Sequence, residues 1–138
     1  MYAYLVAVFK EPGADYGTVV ADLPGCCSAG STLSEALAQT REAIYTHLEG
    51  MAKDGEVTPA PSDLSAIQAS GGYSRAVAFA AVEIDVSKVS AETDRVNVKL
   101  PRWLLSNIDA TETNRSRFLT ESAIKALQEK HRENIASS

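Results

Sequence analysis

The chain has 138 residues, of which 45% are hydrophobic, so it can bury a core as one domain or two small ones, and no apolar run is long enough to span a membrane. Its net charge of −5 is split, because residues 1–94 hold five Lys/Arg and thirteen Asp/Glu (−8), whereas residues 95–138 hold eight and five (+3). An acidic protein is repelled by nucleic acid, but the C-terminal part is basic and can bind it. The acidic N-terminal part should prefer a basic partner. The charge split therefore predicts two domains with two different partners.

The first 30 residues predict a β-sheet. Residues 2–9 are rich in β-formers and almost continuously apolar, which predicts a central strand. Residues 10–16 form a turn cluster, and residues 17–22 form the hairpin partner, with room for a short third strand before Gly30. No basic segment precedes the first strand, so we expect no signal peptide and a cytoplasmic location.

The clearest helix of the sequence begins at Thr32. Thr32 and Glu35 have the spacing of a capping box, and Asp54-Gly55 closes the helix. One apolar stripe runs along it, made of Leu33, Leu37, Thr40, Ile44, Leu48 and Met51. Since each large side chain contributes about 1.5–3 kcal/mol on burial, we expect this helix to pack on the sheet.

The middle of the chain carries weaker signals. We expect a short helical turn at Ser62–Ala69, capped by Ser62, and a polar linker at residues 87–94. Between them, residues 75–86 predict a long strand that packs through Val77, Phe79, Val82, Ile84 and Val86. The tail from His131 to Ser138 is expected to fray.

The C-terminal part opens with an alternating pattern. Apolar Val96, Val98 and Leu100 alternate with polar Arg95, Asn97 and Lys99, which predicts a strand with one buried face and one basic face that ends at Pro101. A short helix follows, with Trp103, Leu104, Leu105 and Ile108 as apolar contacts. Asn114 or Thr113 then caps a longer helix that carries Phe118, Leu119, Ala123, Ala126 and Leu127.

One strand and two helices cannot form a stable core alone, and a single strand leaves an open edge. Two copies solve both problems by pairing their strands, and the resulting ribbon fits a DNA major groove. In these respects residues 95–128 resemble the ribbon-helix-helix family of dimeric DNA-binding domains, although the family's usual glycine is missing from the turn at residues 110–113. The alternative is an ordinary edge strand whose Arg and Lys are only solvated.

The ribbon-helix-helix resemblance implies a role for each polar residue. The ribbon side chains contact base edges, and the start of the second helix binds a phosphate. The implied base-contacting residues are Arg95, Asn97 and Lys99, the implied phosphate-contacting residues are Asn114, Arg115 and Ser116, and the implied dimer core is Val96, Val98, Leu100, Phe118 and Leu119.

The N-terminal part resembles the HicB antitoxin family. The resemblance is carried by the tyrosine-rich first strand, Asp22-Leu23-Pro24-Gly25-Cys26, the Gly30–Leu37 segment and Arg41-Glu42-Ala43-Ile44, with Ser31 where an acidic residue is common. It spans residues 1–53, 76–86 and 95–128. It implies an α+β protein with a partial RNase H-like toxin-neutralising domain at residues 1–86, a linker at 87–94 and a ribbon-helix-helix domain at 95–138.

The residues of a nuclease or metal site are not in place. RNase H chemistry needs a carboxylate cluster that starts in the first strand, but residues 2–9 contain no acid, and Asp15, Asp22, Glu35 and Asp85 are scattered. Cys26 and Cys27 are adjacent, so they cannot readily form an ordinary disulfide, and two histidines give no metal-ligand spacing. We expect no enzyme activity, no metal and no cofactor.

The HicB resemblance therefore supplies the function that we expect. The N-terminal domain occludes a HicA-like toxin, a small basic mRNA-cleaving ribonuclease, with Asp15, Asp22, Glu42 and Glu49 as candidate contacts. The C-terminal domain, as a homodimer or a tetramer, binds operator DNA and represses its own operon. Two alternatives stay open: a ribbon-helix-helix repressor with a ligand-sensing N-terminal domain, which predicts a pocket with converging polar groups, and an orphan magnesium-dependent nuclease.

Overall fold

The structure is a computed structural model that describes residues 1–89 and 95–137. Four antiparallel strands form one sheet in the order β3-β2-β1-β4: β1 (Tyr2–Lys10), β2 (Tyr16–Val20), β3 (Cys27–Gly30) and β4 (Ala78–Ile84). The helices are α1 (Leu33–Lys53), α2 (Leu64–Ala69), α3 (Arg102–Thr111) and α4 (Arg115–Ser137), with a 3₁₀ helix at Val86–Lys88. The predicted α+β class is confirmed.

The predicted central strand is confirmed, since β1 lies between β2 and β4. Alternate residues of β1 share one face of the sheet, and on that face Tyr4, Val6 and Val8 are buried. The register sets Tyr4 beside Val82 and Val6 beside Val20. These side chains form the core together with Ile44 and Leu48 of α1, Ile84 of β4 and Val86.

The helix α1 begins where the capping signal predicts. Thr32 is its N-cap and accepts a hydrogen bond from the Glu35 backbone N–H at 3.1 Å. The Glu35 carboxylate accepts from the Ser31 hydroxyl at 2.8 Å, so this acid does not complete the capping box in the predicted way. Leu33 is 41% exposed, whereas the buried stripe is Ala36, Thr40, Ile44 and Leu48.

Two close contacts fix α1 on the sheet. The Thr18 and Thr40 hydroxyls are hydrogen-bonded at 2.6 Å, both buried. A Cβ atom placed on Gly30 would lie 2.5 Å from the Ala36 backbone nitrogen, a distance that no ordinary packing allows. Glycine at position 30 therefore lets the end of β3 approach the first turns of α1.

The middle segment corrects several predictions. The N-cap of α2 is Asp63, not Ser62, because Ser62 donates from its N–H and its hydroxyl to the Asp22 carboxylate at 2.7 and 2.6 Å. The strand predicted for residues 75–86 is shorter, from Ala78 to Ile84, and Val77 is 60% exposed. The predicted linker begins as the 3₁₀ helix Val86–Lys88, while its residues 90–94 lie outside the described part of the chain.

The two predicted C-terminal helices are present. Asn114 caps α4 by accepting a hydrogen bond from the Arg117 N–H at 2.9 Å. Residues 95–100 form no strand in the single chain, so the predicted ribbon, which needs a second chain, stays a prediction. The prediction of a frayed tail is wrong for residues 131–137, which continue α4, while Ser138 lies outside the described residues.

Helix α4 packs against the N-terminal part of the same chain. Ile124 contacts the buried core, and the buried Gln128 side chain accepts a hydrogen bond from the Tyr2 hydroxyl at 3.0 Å and donates one to the Thr58 carbonyl. The Arg117 Nε atom lies 3.8 Å from an Asp85 carboxylate oxygen. One face of α4 therefore packs against the N-terminal part. Its residues have helical spacing: Arg117, Glu121, Ile124 and Gln128.

Within the described residues, no helix combines the length and the apolar character that a membrane crossing requires.

Candidate functional site

The predicted base-contacting residues lie in the segment directly before α3. Arg95, Asn97 and Lys99 are exposed, and the structure gives their side chains no fixed partner among the described residues. The apolar residues between them, Val96 and Val98, are also exposed, each to 74%. Two alternating valines that are this exposed are not packed into the core formed by residues 1–89 and 95–137.

The predicted phosphate-contacting residues lie together at the start of α4. All three of Asn114, Arg115 and Ser116 are exposed, next to the N–H groups of the first helical turn, where an anion is favoured. Arg115 already has an anionic partner, since its Nη2 and Nε atoms donate to the Asp109 carboxylate at 2.7 and 3.2 Å. These hydrogen bonds hold the pKa of Asp109 below its ordinary value and raise that of Arg115.

The predicted dimer core is only partly enclosed by its own chain. Leu100, Phe118 and Leu119 are half-buried, and Ile108 of α3 is buried. Trp103, expected to be an apolar contact, is 67% exposed. With Val96 and Val98, this makes a set of exposed apolar side chains around α3.

The candidate toxin contacts do not form one cluster. Asp15 lies in the turn between β1 and β2, while Glu42 and Glu49 lie seven residues apart on the exposed side of α1. Asp22 is half-buried, and its two hydrogen bonds from Ser62 give it a structural role that spacing could not show. The exposed face of α1 therefore carries two of the candidate acids, and the exposed turn between β1 and β2 carries Asp15.

A polar cleft of about 400 Å³ lies where β4, α1 and α4 meet. Asp85 is its most buried charged group, and its carboxylate accepts hydrogen bonds from the Ser87 hydroxyl and N–H at 2.6 and 3.1 Å. These bonds, and more weakly the charge of Arg117, hold the pKa of Asp85 below its ordinary value. The most buried acid of the cleft is thus already hydrogen-bonded from inside the chain, which does not favour the ligand-sensing alternative.

The part of the chain that the structure describes offers no candidate metal site, and its two cysteines do not form a disulfide. Among residues 1–89 and 95–137, no group of three or more His, Cys, Asp or Glu side chains is arranged to hold a metal ion. Cys26 is buried and Cys27 exposed, and both are free thiols. Burial raises the pKa of Cys26, which disfavours its thiolate.

Comparison with known proteins places this arrangement in context. A family model described as the HicB-like antitoxin of a bacterial toxin-antitoxin system matches residues 4–123. An uncharacterised 14.9 kDa protein from the rep-hol intergenic region of Haemophilus phage HP1 is 36% identical over 118 residues, which cover 81% of this chain and 88% of the phage protein.

Solved structures match over nearly the whole chain. The crystal structure of the Burkholderia pseudomallei antitoxin HicB is 37% identical with a TM-score of 0.79, and the match covers 92% of this chain and 99% of that one. The crystal structure of antitoxin HicB3 is 26% identical with a TM-score of 0.64, over 90% and 96% of the two chains.

Proposed function

The chain belongs to the HicB-like antitoxins of bacterial toxin-antitoxin systems, and on this premise we propose that residues 1–86 form a partial RNase H-like domain that occludes a HicA-like, mRNA-cleaving toxin. The match of the family model to residues 4–123 is the observation that carries the proposal. The family is one of antitoxins rather than enzymes, and the first strand offers no carboxylate for metal-assisted hydrolysis. The domain acts by covering the toxin.

Charge supports a basic partner for this domain. Residues 1–94 have a net charge of −8, and the exposed face of α1 presents Glu42 and Glu49. Complementary fields accelerate and orient protein association, so a basic ribonuclease docks faster on such a surface. Asp15 and Asp22 stay further candidates, and Asp22 also accepts two hydrogen bonds from Ser62.

Charge reversal tests the toxin surface. We expect the double variant Glu42→Lys/Glu49→Lys to lower the association rate with a basic HicA-like toxin by about tenfold or more at low salt. The matched control is Glu129→Lys, which reverses an exposed charge on α4. Stopped-flow or surface-binding kinetics measure the rates, and a double variant that associates as fast as the wild type would contradict the assignment to α1.

For the C-terminal part, we propose that two chains pair their 95–100 segments into an antiparallel ribbon that reads operator DNA and represses the antitoxin's own operon. The exposure of Val96 and Val98 supports this arrangement, because a second chain would cover them while leaving the alternate side chains outward. Residues 87–94 then act as the link between the two domains, and residues 95–138 as the dimerisation and DNA-binding domain.

The ion pair at the start of α4 fits this proposal. Arg115 and Asp109 are both about half-exposed, and solvent and salt screen an exposed pair of this kind, so it adds little stability. A DNA phosphate can therefore replace the Asp109 carboxylate at little cost. Asn114 and Ser116 complete the phosphate site with the first N–H groups of the helix.

Single substitutions on the ribbon test the operator function. We expect Asn97→Ala and Lys99→Ala each to weaken operator binding by about 1–3 kcal/mol, while toxin neutralisation stays intact. Lys53→Ala, on the last turn of α1, removes the same charge without touching the ribbon. Fluorescence anisotropy with the operon's promoter fragment at one fixed salt concentration measures the affinities, and wild-type binding by both ribbon variants would refute the assigned reading face.

A further inference from the structure

The end of α3 and the start of α4 carry two charges that oppose the dipoles of their own helices. Asp109 lies in the last turn of α3, where the free carbonyl groups disfavour an anion. Arg115 is the first residue of α4, where the free N–H groups disfavour a cation. Neither charge is therefore favoured by the helix that carries it, and each needs a partner elsewhere.

The two side chains are paired with each other across the turn. Arg115 donates from Nη2 and from Nε to the two oxygens of the Asp109 carboxylate, at 2.7 and 3.2 Å. Both donors lie on one edge of the guanidinium group, and this two-pronged geometry is the one with which arginine binds either a carboxylate or a phosphate. In the free chain, Asp109 thus occupies an edge of Arg115 that suits a DNA phosphate equally well.

The pair is accessible from solvent, so its partner can be exchanged. The side chains of Arg115 and Asp109 are 53% and 51% exposed. The next arginine of α4 differs, because Arg117 lies on the face that packs against the N-terminal part, with its Nε atom 3.3 Å from a Glu121 oxygen and 3.8 Å from an Asp85 oxygen. Of these two arginines, Arg115 is the one that an external anion can reach without undocking α4.

We propose that Asp109 competes with DNA phosphate for Arg115 and thereby lowers the affinity of the chain for every DNA sequence. This inference rests on the proposed operator binding. When a phosphate takes Arg115, the Asp109 carboxylate loses its partner and remains beside a dense array of anions, which repels it. The penalty does not depend on the base sequence, because phosphate contacts carry no sequence information directly. Asp109 therefore sets the strength of DNA binding, while the ribbon side chains set its sequence preference.

A positioning role for Asp109 predicts the opposite sign. A guanidinium group has five N–H donors, so Arg115 keeps three that can bind a phosphate while Asp109 holds the other edge. In that arrangement, removal of the carboxylate would free the Arg115 side chain and weaken DNA binding. The exposure of the pair and the repulsion between carboxylate and phosphate favour competition, and the sign of the measured change decides between the two roles.

Asp109→Asn tests the competition, because it removes the charge and keeps the size of the side chain. Fluorescence anisotropy of the whole chain measures its affinity for a labelled promoter fragment of the operon and for a scrambled duplex of the same length. We expect tighter binding to both duplexes by the same factor, about three- to tenfold at about 50 mM salt, and a slope of log affinity against log salt that is steeper by about 0.9 per chain. Misfolding cannot produce such a gain, and circular dichroism confirms that the fold is intact.

Two controls separate this effect from a general loss of negative charge. Glu112→Gln neutralises an exposed acid in the same turn, and among residues 1–89 and 95–137 Glu112 forms no ion pair, so its gain in affinity should be clearly smaller. Arg115→Gln removes the group for which carboxylate and phosphate compete. In the double variant Asp109→Asn/Arg115→Gln, the gain over Arg115→Gln alone should fall to that of Glu112→Gln.

The outcomes also separate this inference from the proposed function. Wild-type binding that Asp109→Asn leaves unchanged or weakens would overturn the competition and leave operator binding standing. An equal gain from Glu112→Gln, or a full gain from Asp109→Asn without Arg115, would overturn it as well. A wild-type chain that binds neither duplex refutes the proposed DNA binding itself, and the role of Asp109 falls with it.

Discussion

Replacing Gly30 by alanine adds one methyl group at the tightest approach between the sheet and α1. The new Cβ atom would lie 2.5 Å from the Ala36 nitrogen and 2.8 Å from the Ala36 Cα atom. Both are backbone atoms, which cannot rotate away as a side chain can. Gly30 does not use the left-handed backbone conformation, so the expected loss of stability comes from this clash alone.

Overpacking of this kind costs about 1–3 kcal/mol. For a chain of this size each kcal/mol corresponds to roughly 3–4 °C, so we expect Gly30→Ala to lower the Tm by about 3–12 °C. The matched control is Gly17→Ala in β2, where the added Cβ meets no atom within 4 Å. That variant should keep the wild-type stability or gain up to about 1 kcal/mol.

Thermal and urea unfolding, followed by circular dichroism, give the two free energies of unfolding. Since α1 carries the proposed toxin-binding face, a displaced α1 should also slow toxin association in Gly30→Ala and not in Gly17→Ala. Equal stability of the two variants would show that β3 and α1 are not in close contact.

Two further predictions concern the contacts between α4 and the N-terminal part. Gln128→Ala leaves the Tyr2 hydroxyl and the Thr58 carbonyl without their partner, so we expect faster hydrogen exchange in α4 and a free energy of unfolding lower by about 1–3 kcal/mol. The control Glu129→Ala should change neither quantity. Equal hydrogen exchange in the two variants would refute the docking of α4. The pKa of Asp85 is lower in the folded than in the unfolded chain. Its contribution to folding stability is therefore complete above its unfolded pKa of about 3.9 and is lost as the pH falls through its folded pKa. Asp85→Asn should therefore flatten the acid limb of a stability–pH profile from urea titrations, and an unchanged limb would contradict the assigned role.

Local patterns predicted the elements that are built from one continuous stretch. The apolar run of β1 and the capped stripe of α1 identify a central strand and its covering helix, because burial on one face leaves a periodic trace in the sequence. Long-range polar contacts leave no such trace. Ser62 looks like a helix cap, but Asp22, 40 residues earlier, takes both of its hydrogen bonds.

Helix α4 is a second case in which the sequence pattern does not reveal a long-range polar contact. Periodicity selected Phe118, Leu119 and the residues in line with them, yet the face that docks on the N-terminal part is mostly polar. Its anchor, Gln128, reaches Tyr2 across 126 residues, and no hydrophobic pattern could reveal that pair. The ribbon strand at residues 95–100 was inferred from alternation, and only a second chain can supply its partner.

The docking of α4 also sets a length scale. The proposed phosphate site at Arg115 and the anchor at Gln128 are on one rigid helix, and a helix rises about 1.5 Å per residue, which separates them by roughly 20 Å. That is about the width of the double helix itself. While α4 stays docked through Ile124 and Gln128, this separation fixes how far the N-terminal part lies from the proposed phosphate site.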